Sequence, residues 1–313
     1  MADFNVSTLS QRVDQSSTEI LVAAVAGANT LQSPMVYVEE GIPGGSKKLV
    51  YIGTPTLEFQ QGACVSTPSG GTEITAVEIG TTTFTHYDEF CGQNLSAKYP
   101  QLKRAGATAE IDMPQIIIDQ YVKLMQNAIS LATWRGNYNG YTSDLSIDGW
   151  LKQIHAASAS TYSVNGVGGA TLLPYAFSAS NAVATVNTLA SFRPAALYNE
   201  PIEFHMDPTA FEALKLGYIA ANSFFNDPTG DPFRMPLHGI VNAVAVADFG
   251  LAGSKAIVAL APNTVAFGCD LLSDNDNIAT DYDKKHNVTW MRMTLSIGAK
   301  IVKPAEIGMV RWA

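Results

Sequence analysis

The chain has 313 residues, 47% of them hydrophobic and only 15% charged, with a formal net charge of −9. That length holds one large domain or about two ordinary ones, and the acidic balance excludes a protein that grips nucleic acid over its whole surface. Globular proteins carry roughly a quarter charged residues, so the shortfall points either to the large core of a compact enzyme or to a surface covered by neighbouring copies of the chain.

Residues 1–33 read as a polar lead-in and a short helix over the apolar run 20–28, capped by Ser16, Ser17 or Thr18. Asp3, Asp14 and Glu19 against a lone Arg12 give the wrong charge for a secretory leader, and the run is too short to span a membrane. From Met35 the pattern changes to strands: 36–38, 49–52 and 57–65, with turns at 41–45 and 68–71. Residues 73–87 form a longer strand segment, with Ile74, Ala76 and Glu78 on one face and Thr75, Val77 and Ile79 on the other. Neither face is cleanly apolar, as expected of a hairpin that projects onto a neighbour; an ordinary half-buried sheet is the alternative.

The strongest local signal is a long helix over 112–135. Asp112 precedes Pro114 and Gln115, an acceptor followed by a proline suited to a first turn. Met113, Ile117, Tyr121, Leu124, Ala128 and Ala132 then recur at helical spacing, and Gly136 ends the run. At ~1.5 Å per residue this is a rod of roughly 33 Å, long enough to cross a domain. Asp148-Gly149-Trp150-Leu151 opens a strand or short helix, and 156–170 is a small-residue loop.

Residues 177–192 are predicted helical with a stripe of Ala182, Val183, Val186 and Leu189. A buried strand at 202–206 runs into Asp207-Pro208, which caps a helix over 209–221. A proline-rich loop covers 224–236, and strands are predicted at 240–247, 256–261, 265–267, 288–301 and 309–312. Helices and strands come in blocks without a βαβ rhythm, which places the chain in the α+β class.

Catalytic signatures are missing: no GxSxG, HExxH or GxxxxGK[ST] occurs, and Gly166-Val167-Gly168-Gly169 lacks the strand–helix context of a dinucleotide site. Asp270, Asp274, Asp276, Asp281 and Asp283 are dense enough for calcium but lack EF-hand spacing, so they read as a solvated loop whose ion binding stays open. The basic groups Lys98, Lys103 and Arg104, and Lys284 and Lys285, read the same way. Cys64, Cys91 and Cys269 stand far apart, as free thiols in a reducing compartment do. His86 lies near Asp88 and Glu89, and His205 reads as a satisfied or outward-facing strand residue and not a ligand. No catalytic, cofactor-binding or metal-ligating residues are expected, and no cofactor.

Three ordered segments carry a resemblance. The long helix runs into Trp134-Arg135-Gly136-Asn137 and then Asp148-Gly149-Trp150-Leu151 with Ile154. Glu203-Phe204-His205-Met206-Asp207-Pro208 follows, with Phe211 and Leu214. Last come Asp231-Pro232-Phe233, Leu237-His238-Gly239-Ile240-Val241 and Pro262-Asn263-Thr264-Val265 with Gly268 and Asp270. In this order they resemble the major capsid proteins of tailed phages, built on the Hong Kong 97-type shell fold. The likeness covers about residues 110–310, and 1–109 in outline only.

The resemblance implies an N-terminal arm (1–45), an extended hairpin loop (46–90), a peripheral domain with a long spine helix (91–150 and 272–313) and an axial domain (151–271). It implies a structural, non-enzymatic subunit that self-assembles as pentamers and hexamers into an icosahedral head enclosing double-stranded DNA without sequence-specific binding. The chain would be assembled in the host cytoplasm and reside in the virion, away from membranes, with separate scaffolding, portal and decoration proteins as further partners. Because the arm begins close to Met1, scaffolding is expected from another protein or not at all. Lys47 and Lys48 lie near the hairpin base, where some members form an isopeptide cross-link, but no matching Asn and Glu align, so non-covalent locking is expected. Three alternatives stay open: an encapsulin-type bacterial compartment shell, a tail-tube or adaptor protein, and an α+β enzyme with a site assembled from His86, Asp88 and Glu203.

Overall fold

The computed structural model describes residues 22–25, 27–42, 45–52, 56–57, 70–71, 74–90, 113–137, 147–158, 160–167, 171–221, 231–270, 278–283, 286 and 288–312. A 3-10 turn at Asn29–Gln32 leads into β1 (Val36–Glu40). Next come β2 (Ser46–Ile52), β3 (Thr56–Leu57), β4 (Gly70–Gly71), β5 (Ile74–Gly80) and β6 (Thr82–Phe90), then the long helix α1 (Met113–Arg135) and the short α2 (Trp150–Ala156). Strands β7 (Tyr162–Ser163), β8 (Gly166–Val167) and β9 (Thr171–Leu173) precede α3 (Ala182–Ser191), β10 (Ile202–Met206) and α4 (Pro208–Ala221). The chain continues through β11 (Arg234–Pro236), β12 (Ala243–Ala247), β13 (Ala256–Leu260), β14 (Val265–Asp270), β15 (Ile278–Asp283), β16 (Val288–Ile301) and β17 (Gly308–Trp312).

Two large sheets organise these elements. The five-stranded sheet is built around β16, which pairs with β14 through residues 296–301, with β15 through 288–293 and with β6 through 289–297; β1 adds to β14 in parallel. The eight-stranded sheet runs β11-β12-β10-β13-β17-β7-β8, with β9 also on β17. Strand β13 is buried along its whole length because each face meets a separate core. Ala256, Val258 and Leu260 pack with Trp134, Trp150 and Phe267, while Ile257 and Ala259 pack with Val186, Leu189, Phe211 and Leu214 beneath α3 and α4. Burial on both faces explains why the strand reads as an unbroken apolar run.

The turn between α1 and α2 accounts for two glycines of the shell-like motif. The Gly149 N–H donates to the Gly136 carbonyl at 2.8 Å. A Cβ on Gly149 would lie 2.5 Å from the Gly136 nitrogen and 2.6 Å from the Trp134 carbonyl oxygen, so the two backbones touch only without side chains. This contact sets Trp134 edge-on to Trp150 with ring centroids 5.0 Å apart. Trp150 donates to the Ala266 carbonyl, and Gln153 donates to Ala299 and accepts from the Ile301 N–H, which fastens α2 to the five-stranded sheet.

The structure departs from the sequence reading in several places. On α1 the buried stripe is Ile118, Ile129 and Ala132, with Tyr121, Val122 and Met125 packed against the core, while Leu124 is 62% exposed and Ala128 lies on the open side. Apolar residues occur in adjacent pairs here, so two stripes fit equally well by period; the buried Trp134 at the end of the helix sets its rotation. The strand predicted over 73–87 breaks at Thr81, whose N–H donates to Gly45 and whose hydroxyl donates to Ile42. Before the break β5 pairs with β2 as a separate ribbon; after it β6 joins the five-stranded sheet, so 82–90 is not part of the ribbon. Likewise β17 belongs to the eight-stranded sheet and β14 to the five-stranded one, because the chain crosses between sheets around 261–264 and 302–307. The loop predicted at 156–170 contains the small β7–β8 pairing, and the strand predicted from 240 starts at Ala243, after Asn242 at φ 54°. The segments 1–21, 58–69, 91–112, 222–230 and 271–277 lie outside the described residues, and with them Cys64, Cys91, Lys98, Lys103, Arg104, Asp274 and Asp276.

Candidate functional site: a buried polar junction beside the first 3-10 turn

Strand β10 alternates chemistry in step with its pleat. Ile202, Phe204 and Met206 enter the core under α3 and α4, while Glu203 and His205 point to the opposite face. There they meet the end of α1, the 3-10 turn Asn29–Gln32 and the turn that follows β12. Both charged side chains are buried, His205 completely.

Asp248 is the hub. It caps the 3-10 turn Phe249–Leu251, and its Oδ1 accepts from the Gly250 N–H at 2.8 Å and from the Thr30 hydroxyl at 2.7 Å. Its Oδ2 accepts from the Trp134 indole N–H at 2.8 Å and lies 3.0 Å from His205 Nδ1. On the other side of the imidazole, Nε2 faces Glu203 Oε2 at 3.3 Å, an ionic contact too poorly aligned to count as a full hydrogen bond. Glu203 Oε2 also accepts from the Ser33 hydroxyl at 2.6 Å, and Oε1 takes the guanidinium of Arg234 from β11. The Trp134 ring lies against the imidazole with centroids 5.6 Å apart.

Both imidazole nitrogens thus confront carboxylate oxygens, and only the imidazolium carries a proton on each. Burial opposes that charge, but the hydrogen bond to Asp248, the polar contact with Glu203 and the charges of both carboxylates outweigh it and raise the His205 pKa to about 9. Burial likewise pushes Glu203 upward, and His205, Ser33 and Arg234 together bring it below the ordinary carboxylate value. Two anions and two cations balance, so the cluster is neutral as a whole. It joins the segment around the 3-10 turn, through Thr30 and Ser33, to the long helix and the eight-stranded sheet.

The other residues singled out from sequence lie elsewhere. His86 sits on β6 opposite Met293, Asp88 accepts from Tyr121, and Glu89 accepts from Tyr87 at 2.6 Å. Burial and the bond to Asp88 together raise the Tyr121 pKa. His86 and Asp88 therefore belong to a different sheet from Glu203, and the trio weighed for an enzyme is not brought together. Asp270 is buried at the end of β14, with Asp281 and Asp283 on β15; among the described residues no three His, Cys, Asp or Glu are placed to hold a metal. Lys47 forms an ion pair with Glu39, and Cys269 is a buried free thiol whose pKa burial pushes up to about 12. No described helix is long and apolar enough to cross a membrane.

Sequence reasoning left His205 either satisfied or outward-facing and named no partners; the structure buries it. A usable signal was present: Glu203 and His205 share one face of an otherwise apolar strand, so a counter-charge was required there. That Asp248, 43 residues on, supplies it is visible only in the fold.

No protein-family model matches the chain, and no curated protein matches it by sequence. Solved structures do. A chain of the satellite phage P4 procapsid, which includes the size determination (Sid) protein, matches with a TM-score of 0.58 at 11% identity, over 94% of this chain and 98% of that one. A chain of Gordonia phage Cozz gives 0.53 at 14% identity over 89% and 85%, and one from the capsid of the empty GTA particle gives 0.52 at 12% over 91% and 90%. Mixed α+β layers and likeness along nearly the whole chain give this protein the fold of phage capsid chains.

Proposed function

We propose that this chain is the major shell subunit of a tailed-phage head of the Hong Kong 97 type, structural and not catalytic. The observation that carries the reading is the likeness to the procapsid chain along nearly the whole of both sequences. The division of labour proposed for it follows the sheets: an arm up to about residue 45, a projecting hairpin over 46–80, a peripheral layer of α1, α2 and the five-stranded sheet, and an axial layer of the eight-stranded sheet with α3 and α4.

The β2–β5 ribbon supports such a role. It turns Ile79 into a small core with Ile42, Ala266 and Val302, yet leaves Val50 and Ile74 on its outer face, 66% and 69% exposed. Apolar side chains on an exposed ribbon are covered when another subunit lies over them. In this reading pentamers and hexamers of the chain close an icosahedral shell around packaged DNA in the host cytoplasm, held non-covalently, with scaffolding, portal and decoration proteins as separate partners.

Negative-stain microscopy of the chain expressed alone or with the proteins encoded beside it is the test. Closed shells of uniform diameter are expected. Monomers under every assembly condition, or open tubes and rings, would overturn the proposal. The double substitution Val50→Asp/Ile74→Asp is expected to leave circular dichroism unchanged and to abolish shells.

A further inference from the structure

Besides the β1–β14 pairing and the Asn263 N–H that donates to the Met35 carbonyl, two hydroxyls hold the arm to the body, and both end on one buried ionic cluster. Thr30 donates to Asp248 at 2.7 Å and Ser33 donates to Glu203 at 2.6 Å. Ser33 also accepts from the Met35 N–H at 3.1 Å, so the Glu203 contact positions the backbone just ahead of β1. The two carboxylates stand on opposite sides of His205, whose nitrogens lie 3.0 and 3.3 Å from them. We propose that the His205–Asp248–Glu203 cluster is a charge-controlled latch for the arm: with His205 protonated it clamps residues 29–33 to the body ahead of β1, and on losing that proton it releases them.

The chemistry of the imidazole carries the inference. A neutral ring has one N–H, so it donates to one carboxylate and turns a lone pair toward the other. With the proton on Nδ1, Asp248 keeps its partner and Glu203 Oε2 meets a bare nitrogen at 3.3 Å in a buried site. The carboxylate, still held by Arg234, then turns away, and the oxygen it turns is the one that receives the Ser33 hydroxyl. The opposite tautomer sets a bare Nδ1 against Asp248 Oδ2, and turning that carboxylate moves Oδ1, the oxygen that receives the Thr30 hydroxyl. The charged groups facing His205 are Asp248 from the turn after β12 and Glu203 from its own strand, with Arg234 of β11 acting through Glu203. The long helix contributes the uncharged Trp134, and the arm contributes Thr30 and Ser33. Protonation of the ring into the alkaline range places the release above neutrality.

Amide hydrogen exchange of the whole unassembled chain, read by mass spectrometry, tests the latch. Peptides covering 29–36 are compared with those covering β13, which cancels the intrinsic pH dependence of exchange. In the wild type, the ratio of arm to β13 exchange is expected to rise tenfold or more between pH 6.5 and 9.5. Thr30→Val/Ser33→Ala, which removes both hydroxyl contacts but leaves the ionic cluster intact, is expected to show the high ratio already at pH 6.5 and to be flat with pH; Ser33→Ala alone is expected to lie between. A wild-type ratio that stays constant with pH, or a double variant that keeps the wild-type pH response, overturns the proposal.

Discussion

Asp248→Asn is the most exacting perturbation of the junction, because it keeps the shape of the side chain and removes one charge. The carboxylate accepts four donors at 2.7–3.0 Å: Thr30 and Gly250 on one oxygen, Trp134 and His205 on the other. An amide has one acceptor oxygen, so one pair of donors must face its NH2 group. The less costly orientation keeps the oxygen on Trp134 and His205. The Thr30 hydroxyl can turn to accept, but the Gly250 N–H is orphaned and the buried imidazolium loses one of its two anions. A hydrogen bond to a charged group contributes about 1.5–3 kcal/mol, an orphaned buried donor costs about 1–3, and breaking a buried ion pair costs about 3–5, so the overlapping terms give a loss of about 4 kcal/mol. Guanidinium denaturation of unassembled protein, followed by far-ultraviolet circular dichroism, measures it. A loss below about 1 kcal/mol would mean that the four contacts are not coupled and would refute the account of Asp248 as the hub.

The pH dependence of stability follows from His205. Its folded pKa of about 9 lies above the ordinary 6.5, so its contribution is fully present below 6.5 and is lost as pH rises through 9; linkage gives at most roughly 3 kcal/mol over that window, measurable as a falling denaturation midpoint and absent in His205→Gln. Ile129→Ala, on the buried stripe of α1, is expected to cost about 2–5 kcal/mol, whereas Leu124→Gln, on the open side, should stay within about 0.5 kcal/mol; equal effects in urea titrations would overturn the rotation assigned to the helix. Gly298→Ala places a methyl against the Gly80 carbonyl oxygen, backbone that has no rotamer with which to yield. It is expected to cost about 3 kcal/mol, at the upper end of overpacking, and to reduce protection of the β5–β6 corner in hydrogen exchange; wild-type protection there would refute the close approach.

Much of the architecture was legible in local chemistry. The capped helix over 209–221 appears as α4, with the Thr209 N–H and hydroxyl both donating to Asp207 Oδ1 at 2.8 Å. Of the stripe of Ala182, Val183, Val186 and Leu189, three are buried on α3 and Val183 packs partly buried beside them. Such features are legible because an acceptor before a proline, or a helical apolar period, acts over a few residues and needs no distant partner. The rotation of α1 was not, since two adjacent apolar stripes satisfy the same period.

What the order of residues determined alone is the α+β class, the long helix, its glycine stop and the buried strand at 202–206. What only the tertiary structure decided is where those pieces meet. The break at Thr81 depends on carbonyls of Ile42 and Gly45, and the charge on His205 depends on Asp248, with the arm's Thr30 and Ser33 completing the hydrogen bonding. Period and propensity report a residue's near neighbours. A buried charge is settled by whichever distant group the fold brings within about 3 Å, and that distance is a property of the packed chain.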